Sequence, residues 1–204
     1  MGVPTYVIVE EYIPGETLEE KISSGDLGIR LAVEVADAIL ECLKEFQNHD
    51  LVHRDIKPSN IIVTPSEEIM LLDVGIVRFQ EEESLTPDHA DRGPSTPSYA
   101  APEVLENNKD AQDVRTDFFS LGIVFYETIT GTHPFSVKGQ TKPRAIQLGL
   151  RSEDITDQVD DKDMKEAIDL FYRSLIAHEQ HERYRKPEYA QDELEVIKEV
   201  MALV

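Results

Sequence analysis

The hydrophobic positions of this chain fall mostly into helical patterns. Apolar residues at three- and four-residue steps, or in dense apolar runs, predict helices over residues 28–49, 117–129, 140–148, 163–177 and 187–201. A shorter helix is predicted over residues 16–23, where Ser24 and Gly25 end it. These patterns favour a mainly α fold built as a helical bundle.

Short apolar runs bounded by turn residues predict a few strands between the helices. They lie at residues 5–12, 61–63 and 69–72. The last two flank the polar segment 64–68, which contains Pro65 and Ser66 and predicts a hairpin turn. The fold class that follows is mainly α with short β-hairpins.

Composition limits the classes of partner. The chain has 204 residues, 40% of them apolar, which suits one domain with a real core. A formal net charge of -21 disfavours binding to nucleic acid or an anionic membrane, because both need a basic face. We expect no membrane span and no signal peptide, and the single cysteine, Cys42, suits a reducing, cytoplasmic location.

The predicted hairpin brings together residue types suited to a metal ion. Pairing of its strands places Asn60 and Asp73 side by side at its open end, while Asp55 and Lys57 lie just upstream on a loop facing the same place. Amide and carboxylate oxygens are ligands for Mg²⁺, which commonly also binds substrate phosphates. A further carboxylate beside a cation is what an attacking hydroxyl needs.

Four short motifs in this region and beyond it carry a family resemblance. In chain order they are His53-Arg54-Asp55 with Asn60, Asp73-Val74-Gly75, Thr96-Pro97-Ser98-Tyr99 and Ala101-Pro102-Glu103. Their order and spacing resemble the large C-terminal lobe of a eukaryotic-type (Hanks-type) serine/threonine protein kinase. The resemblance continues to about Arg183 and so covers almost the whole chain.

The resemblance implies a role for each polar residue of the loop. Asp55 would orient the proton of the substrate hydroxyl, and Lys57 would neutralise the γ-phosphate. Asn60 and Asp73 would hold Mg²⁺, with Mn²⁺ as an alternative metal, and Thr96 would bond to Asp55 and Lys57. ATP is the implied cofactor, and a protein serine or threonine is the implied substrate.

The resemblance also divides the chain. Residues 1–15 would be the end of the small-lobe sheet and the hinge, and residues 16–204 the large lobe. The backbone near Glu11 and Ile13 would bond to adenine, with Leu18 and Ile62 close to the ring. Glu10 stands at the gatekeeper position, where the family usually has an apolar residue.

The rest of the phosphate site has no counterpart in this sequence. In the family a glycine-rich loop, a strand lysine and a helix glutamate of the small lobe complete that site. Ahead of the hinge the only glycine is Gly2, and the first lysine is Lys21, beyond it. We therefore expect a separate or missing small lobe and little or no activity from these residues alone.

Other matched residues have implied structural roles. His53 would pack beneath the catalytic loop and bond to backbone, and Asp117 would accept backbone N–H groups of His53 and Arg54. Glu103 would pair with Arg183 in the interior. In the polar, acidic segment 76–93, Ser84 and Thr86 are candidate phosphorylation sites.

Two functions from other classes stay open beside the kinase hypothesis. A non-catalytic interaction module would use the same surface for docking, but it has no need to keep Asp55, Lys57, Asn60 and Asp73 together. A relative acting on a small molecule would share the loop and metal aspartates. Such relatives generally lack the segment 96–103, which this chain has.

Overall fold

The structure is a computed structural model that describes residues 11–72, 78–79, 96–151 and 154–203. Most of these residues are helical, so the mainly α prediction is confirmed. The helices are α1 Leu18–Ser24, α2 Ile29–Asn48, α3 Pro102–Leu105, α4 Val114–Thr130, α5 Lys142–Gln147, α6 Lys162–Leu175 and α7 Pro187–Leu203. The strands are β1 Glu16–Thr17, β2 Leu51–Val52, β3 Ile61–Val63, β4 Ile69–Leu71 and β5 Arg78–Phe79.

Helix α4 is the centre of the fold. It packs against α2 and α6, and α7 packs against α2 and α6 in turn. Almost every side chain of α4 is buried, which explains why its sequence is apolar on all sides. Gly122 allows close packing, because a Cβ atom there would lie 3.1 Å from the Cβ atoms of Leu175 and Ile176. Helix α4 is therefore a close-packed support for the loops at its two ends.

Helix α2 shows the one-sided pattern predicted for it. Its buried residues recur at helical spacing and face the core; they are Ala32, Val33, Val35, Ala36, Ile39, Leu40 and Leu43. Cys42 lies beside this stripe and is only half-buried. The long helix was placed within one residue of its observed ends.

The predicted hairpin is present. Strands β3 and β4 are antiparallel, with Ile61 opposite Leu71 and Val63 opposite Ile69. In the turn, the Thr64 N–H donates to the Glu68 carbonyl at 2.9 Å. The backbone N–H of Leu72 donates to the Asn60 carbonyl at 2.8 Å, so the pairing extends to the open end of the hairpin.

The prediction of a helix over residues 16–23 was wrong at its start. Glu16 and Thr17 form β1, which pairs antiparallel with β3, and the helix begins at Leu18. Thr17 is the N-cap of α1 and shares a capping box with Glu20. An N-cap residue has an extended backbone, so Thr17 can end a strand and begin a helix.

Three other predictions concern the first strand, the central helix and the phosphorylation sites. The predicted strand 5–12 lies outside the described residues as far as Glu10, and Glu11 and Tyr12 form no strand. The buried helix predicted from Asp117 begins earlier, at Val114, where Asp113 caps it by accepting the N–H of Arg115. The candidate phosphorylation sites Ser84 and Thr86 lie outside the described residues.

Candidate active site

The loop between β2 and β3 carries the predicted catalytic residues and is anchored from below by Asp117. This carboxylate lies fully buried on α4, and its two oxygens accept the backbone N–H groups of His53 and Arg54, each at 2.8 Å. The predicted contact is confirmed. Burial raises the pKa of Asp117 to about 7, and the two backbone hydrogen bonds oppose that rise.

The same loop holds a backbone conformation that needs such an anchor. Arg54 has a φ of 70°, in the left-handed region that non-glycine residues seldom occupy. His53 is fully buried; its Nε2 lies 3.1 Å from the Leu72 carbonyl, and its Nδ1 accepts the Asp55 N–H at 3.3 Å. The prediction that His53 bonds to backbone is confirmed, and its ring joins the loop to the end of β4.

Asp55 is surrounded by hydrogen-bond donors. Its Oδ2 accepts from Lys57 Nζ at 2.6 Å and from Asn60 Nδ2 at 2.9 Å. Its Oδ1 accepts from the backbone N–H of Thr96 at 3.1 Å and from the Thr96 hydroxyl at 3.2 Å. The Asp55 side chain is held in one orientation and is 5% exposed.

Thr96 links the two charged residues. Lys57 Nζ donates to Thr96 Oγ1 at 2.9 Å, and the same hydroxyl donates its own hydrogen to Asp55. A hydroxyl is both a donor and an acceptor, so this one position satisfies an ammonium group and a carboxylate at once. The structure therefore brings together Asp55, Lys57, Asn60 and Thr96.

The Asn60 side chain is fixed by two hydrogen bonds to Asp55. Its Nδ2 donates to the backbone carbonyl and to Oδ2 of Asp55, both at 2.9 Å, which uses both amide hydrogens. The carbonyl oxygen is then the atom that Asn60 offers to a ligand, and such an oxygen fits Mg²⁺. Its predicted partner Asp73, with Val74 and Gly75, lies outside the described residues.

The residues predicted to lie near adenine are on the segment before β1, on α1 and on β3. Glu11 and Ile13 belong to a segment without regular structure that leads to Gly15. A Cβ atom on Gly15 would lie 2.6 Å from Ile62 Cγ2, so the Ile62 side chain packs directly against Gly15. Leu18 is fully buried in the core cluster that also contains Ile61.

Helix α4 and the loop after it hold the segment 96–99, a set of contacts that the sequence analysis missed. Ser120 Oγ donates to the Tyr99 carbonyl at 2.8 Å, and the Tyr99 hydroxyl donates to Glu127 Oε2 at 2.7 Å. His133 Nε2 lies 2.8 Å from the Ser98 carbonyl. Burial raises the pKa values of the Tyr99 phenol and the Glu127 carboxyl. In the sequence, Ser120 and Glu127 could have been noticed as polar residues within an otherwise apolar helix.

A buried ion pair joins α3, which follows the segment 96–99, to the part of the chain just before α7. Arg183 donates to Glu103 through Nη1 at 2.7 Å and Nη2 at 3.0 Å, and its side chain is fully buried. The predicted pairing is confirmed. Thr116 Oγ1 also donates to Glu103, at 2.9 Å, so the pair joins α3, α4 and the 3₁₀ turn before α7.

Comparison with known families agrees with this geometry. A family model described as "Protein kinase domain" matches residues 4–194. This chain belongs to the protein kinase family. Proteins of this family use ATP and Mg²⁺, and they share the loop, metal and substrate-segment motifs found in this kinase chain.

Two curated relatives of this chain are named as bacterial serine/threonine-protein kinases, one of them as probable. "Serine/threonine-protein kinase PknB" of Mycolicibacterium smegmatis is 29% identical over 185 residues, covering 89% of this chain and 29% of the relative. A protein of Clostridium acetobutylicum named as a probable serine/threonine-protein kinase is 31% identical over 193 residues, covering 94% of this chain and 28% of that relative. The chain thus spans less than a third of the length of these relatives.

Within the described part of the kinase, no helix has both the length and the apolar composition required to cross a bilayer.

Proposed function

We propose that this chain is the catalytic large lobe of a serine/threonine protein kinase that transfers the γ-phosphate of ATP to a protein hydroxyl. The observation that carries the proposal is the set of donors around Asp55. Lys57, Asn60 and Thr96 hold this carboxylate in one orientation from three directions. Phosphoryl transfer depends mainly on such positioning and on charge stabilisation.

In the proposed phosphoryl transfer each of these residues has a role. The substrate hydroxyl oxygen forms a bond to the γ-phosphorus while the bond from that phosphorus to the bridging oxygen of ADP breaks. Asp55 orients the hydroxyl and accepts its proton, and the Lys57 ammonium stabilises charge on the transferred phosphoryl group. Mg²⁺, held by Asn60 Oδ1 and Asp73, would neutralise phosphate charge.

The position of Thr96 is evidence that the residue receiving the phosphate is a serine or threonine. Its hydroxyl lies between Lys57 and Asp55 and fixes the lysine within 2.6 Å of the carboxylate. A lysine two positions after the catalytic aspartate, bonded to a threonine of the substrate segment, is the arrangement of serine/threonine kinases. Segment 96–99 would then be part of the surface that contacts the protein substrate.

The nucleotide would bind between this lobe and a small lobe. We assign residues 1–15 to the hinge side and residues 16–204 to the large lobe, with adenine near Glu11, Ile13, Leu18 and Ile62. The packing of Ile62 against Gly15 at the hinge supports this placement. Because half of the family's phosphate site has no counterpart in residues 1–204, we expect little or no phosphate transfer by these residues alone. A cytoplasmic location suits a domain that consumes ATP.

Calorimetric titration of folded residues 1–204 with MgATP tests the nucleotide and metal site. Binding is expected for the unaltered chain, and Asp73→Ala and Asn60→Ala should abolish it. Asp160→Ala, which removes an exposed carboxylate elsewhere, is the matched control and should bind normally. Absence of binding by the folded chain would favour the non-catalytic interaction module.

Phosphate transfer is tested after a kinase small lobe is joined to the hinge. Transfer to protein serine or threonine, lost in Asp55→Asn, is the expected result. Transfer to a small-molecule acceptor in place of protein would favour the small-molecule kinase. Rapid transfer by residues 1–204 alone would contradict the expectation of little or no transfer.

A further inference from the structure

His133 lies beneath the proposed substrate segment at the point where α4 ends. It is 3% exposed, its ring meets Tyr99 edge-on at 5.2 Å between centroids, and its Nε2 lies 2.8 Å from the Ser98 carbonyl oxygen. Its other ring nitrogen, Nδ1, lies 3.2 Å from the backbone nitrogen of Phe135. The imidazole thus bridges the substrate segment and the loop that follows α4.

These two contacts define one protonation state. A carbonyl oxygen can only accept, so Nε2 must carry hydrogen; a backbone N–H can only donate, so Nδ1 must be bare. The ring is therefore neutral with its proton on Nε2. Burial and the nearby Lys142 ammonium lower the pKa of His133 to about 4, which keeps it neutral around pH 7.

The segment 96–99 is a turn whose two ends face different partners. The Tyr99 N–H donates to the Thr96 carbonyl at 2.9 Å and closes the turn. Thr96 bonds to Asp55 at one end, while His133, Ser120 and Glu127 hold Ser98 and Tyr99 at the other. A shift of the Ser98 carbonyl would move the peptide units that place Thr96.

We propose that His133 is a positioning residue: its Nε2–H holds the Ser98 carbonyl and thereby keeps Thr96 against Asp55 in the substrate segment. The consequence for substrate binding rests on the proposed kinase function, whereas the effect on the turn does not. In the described part of the chain, the charged and titratable groups around the ring are Lys142 on α5, Tyr99 in the segment and, through its bond to Tyr99, Glu127 on α4.

Two substitutions separate the two hydrogen bonds of His133. In His133→Asn the side-chain oxygen occupies the place of Nδ1 and can still accept the Phe135 N–H, but no donor reaches Ser98. In His133→Gln the amide nitrogen occupies the place of Nε2 and can donate to Ser98, but the acceptor for Phe135 is lost. The pair therefore tests the Ser98 bond against the loop bond.

Amide hydrogen exchange of folded residues 1–204 gives a readout independent of catalysis. In His133→Asn, we expect the Tyr99 amide to exchange about tenfold faster, equivalent to about 1.4 kcal/mol, with Phe135 unchanged. In His133→Gln, we expect the Phe135 amide to exchange about tenfold faster, with the Tyr99 amide unchanged. His181→Asn alters an exposed histidine and should change neither amide. The Val124 amide in the core of α4 reports general destabilisation.

The proposal is overturned if Tyr99 exchange in His133→Asn stays within twofold of the unaltered chain, or if its acceleration only matches that of Val124. With a small lobe joined, His133→Asn should raise the KM for protein substrate and lower kcat, each about fivefold, and should leave the KM for ATP unchanged. His133→Gln should keep all three values near those of the unaltered sequence. If no phosphate transfer is found for any form, the proposed function fails, and the exchange pattern still decides the role of His133.

Discussion

Thr96 holds Asp55 through two hydrogen bonds to one carboxylate oxygen, although the two residues are 41 positions apart in the chain. The backbone N–H donates at 3.1 Å and the hydroxyl at 3.2 Å. Because the hydroxyl also accepts from Lys57, one small side chain sets both charged groups. The first prediction concerns that hydroxyl.

Thr96→Val removes the hydroxyl at nearly constant volume, whereas Thr96→Ser retains it. Misorientation of Asp55 and Lys57 should lower kcat about 100-fold in the valine variant, since a positioned base typically contributes 10²-fold or more. The serine variant should stay within a few fold. Phosphate transfer with a small lobe joined measures both; equal activity of the two variants would show that the backbone bond is sufficient.

Glu103→Ala should strongly destabilise the fold. It leaves the buried Arg183 guanidinium without its carboxylate, a change that typically costs about 3 to 5 kcal/mol. Arg173→Ala breaks the ion pair with Asp169, in which the arginine side chain is 67% exposed, and should cost less than about 1 kcal/mol. The free energy of unfolding in urea measures both, and similar losses would refute the distinction.

Gly15→Ala should disturb the hinge. A Cβ atom there would lie 2.5 Å from the Val63 carbonyl oxygen, so β1 and β3 must separate to admit it. We expect a loss of about 2 to 3 kcal/mol in unfolding free energy. Gly25→Ala is the matched control: its φ is +85° but no atom lies within 4 Å, and only backbone strain of about 1 kcal/mol is expected. Equal losses would mean that crowding at the hinge is relieved without cost.

Acid should weaken the fold partly through His133. Its pKa is lowered from 6.5 to about 4 in the folded chain, so the unfolded chain binds a proton first as the pH falls. The stability that depends on a neutral His133 is fully present above about pH 6.5. It decreases by about 3 kcal/mol in total as the pH falls towards 4. The unfolding free energy of the unaltered chain should therefore fall more steeply over this range than that of His133→Gln.

The control for this pH dependence is His181→Gln, which changes an exposed histidine. Its unfolding free energy should follow the unaltered chain at every pH. Parallel curves for the unaltered chain and His133→Gln would show that the imidazole can be protonated in the fold without loss.

Local patterns were sufficient for most of the fold. The helical spacing of α2 and the apolar runs of β3 and β4 depend on the segments themselves, and they were placed correctly. The start of α1 was not, because Glu16 and Thr17 form a strand by pairing with β3, almost 50 residues later. The sequence pattern of one segment does not show which distant strand it will pair with.

The motifs likewise indicated which polar residues would meet, but not how the substrate segment is held. The spacing of Asp55, Lys57, Asn60 and Thr96 carries the resemblance, and family membership follows from it. Ser120 and Glu127 are ordinary polar positions in a helical run, and His133 stands in a loop. Their contacts with Ser98 and Tyr99 depend on how α4 is rotated and packed.

The sequence by itself determined the helical architecture, the family and the chemical types gathered at the catalytic loop, because these depend on periodicity and on motif order. The tertiary structure alone decided the hydrogen bonds that give those residues direction: Asp117 beneath the loop, Thr96 against Asp55, and His133 beneath Ser98. The reason is physical. A hydrogen bond requires a donor and an acceptor within about 3 Å at a favourable angle, and only the packing of helices around α4 sets positions that closely.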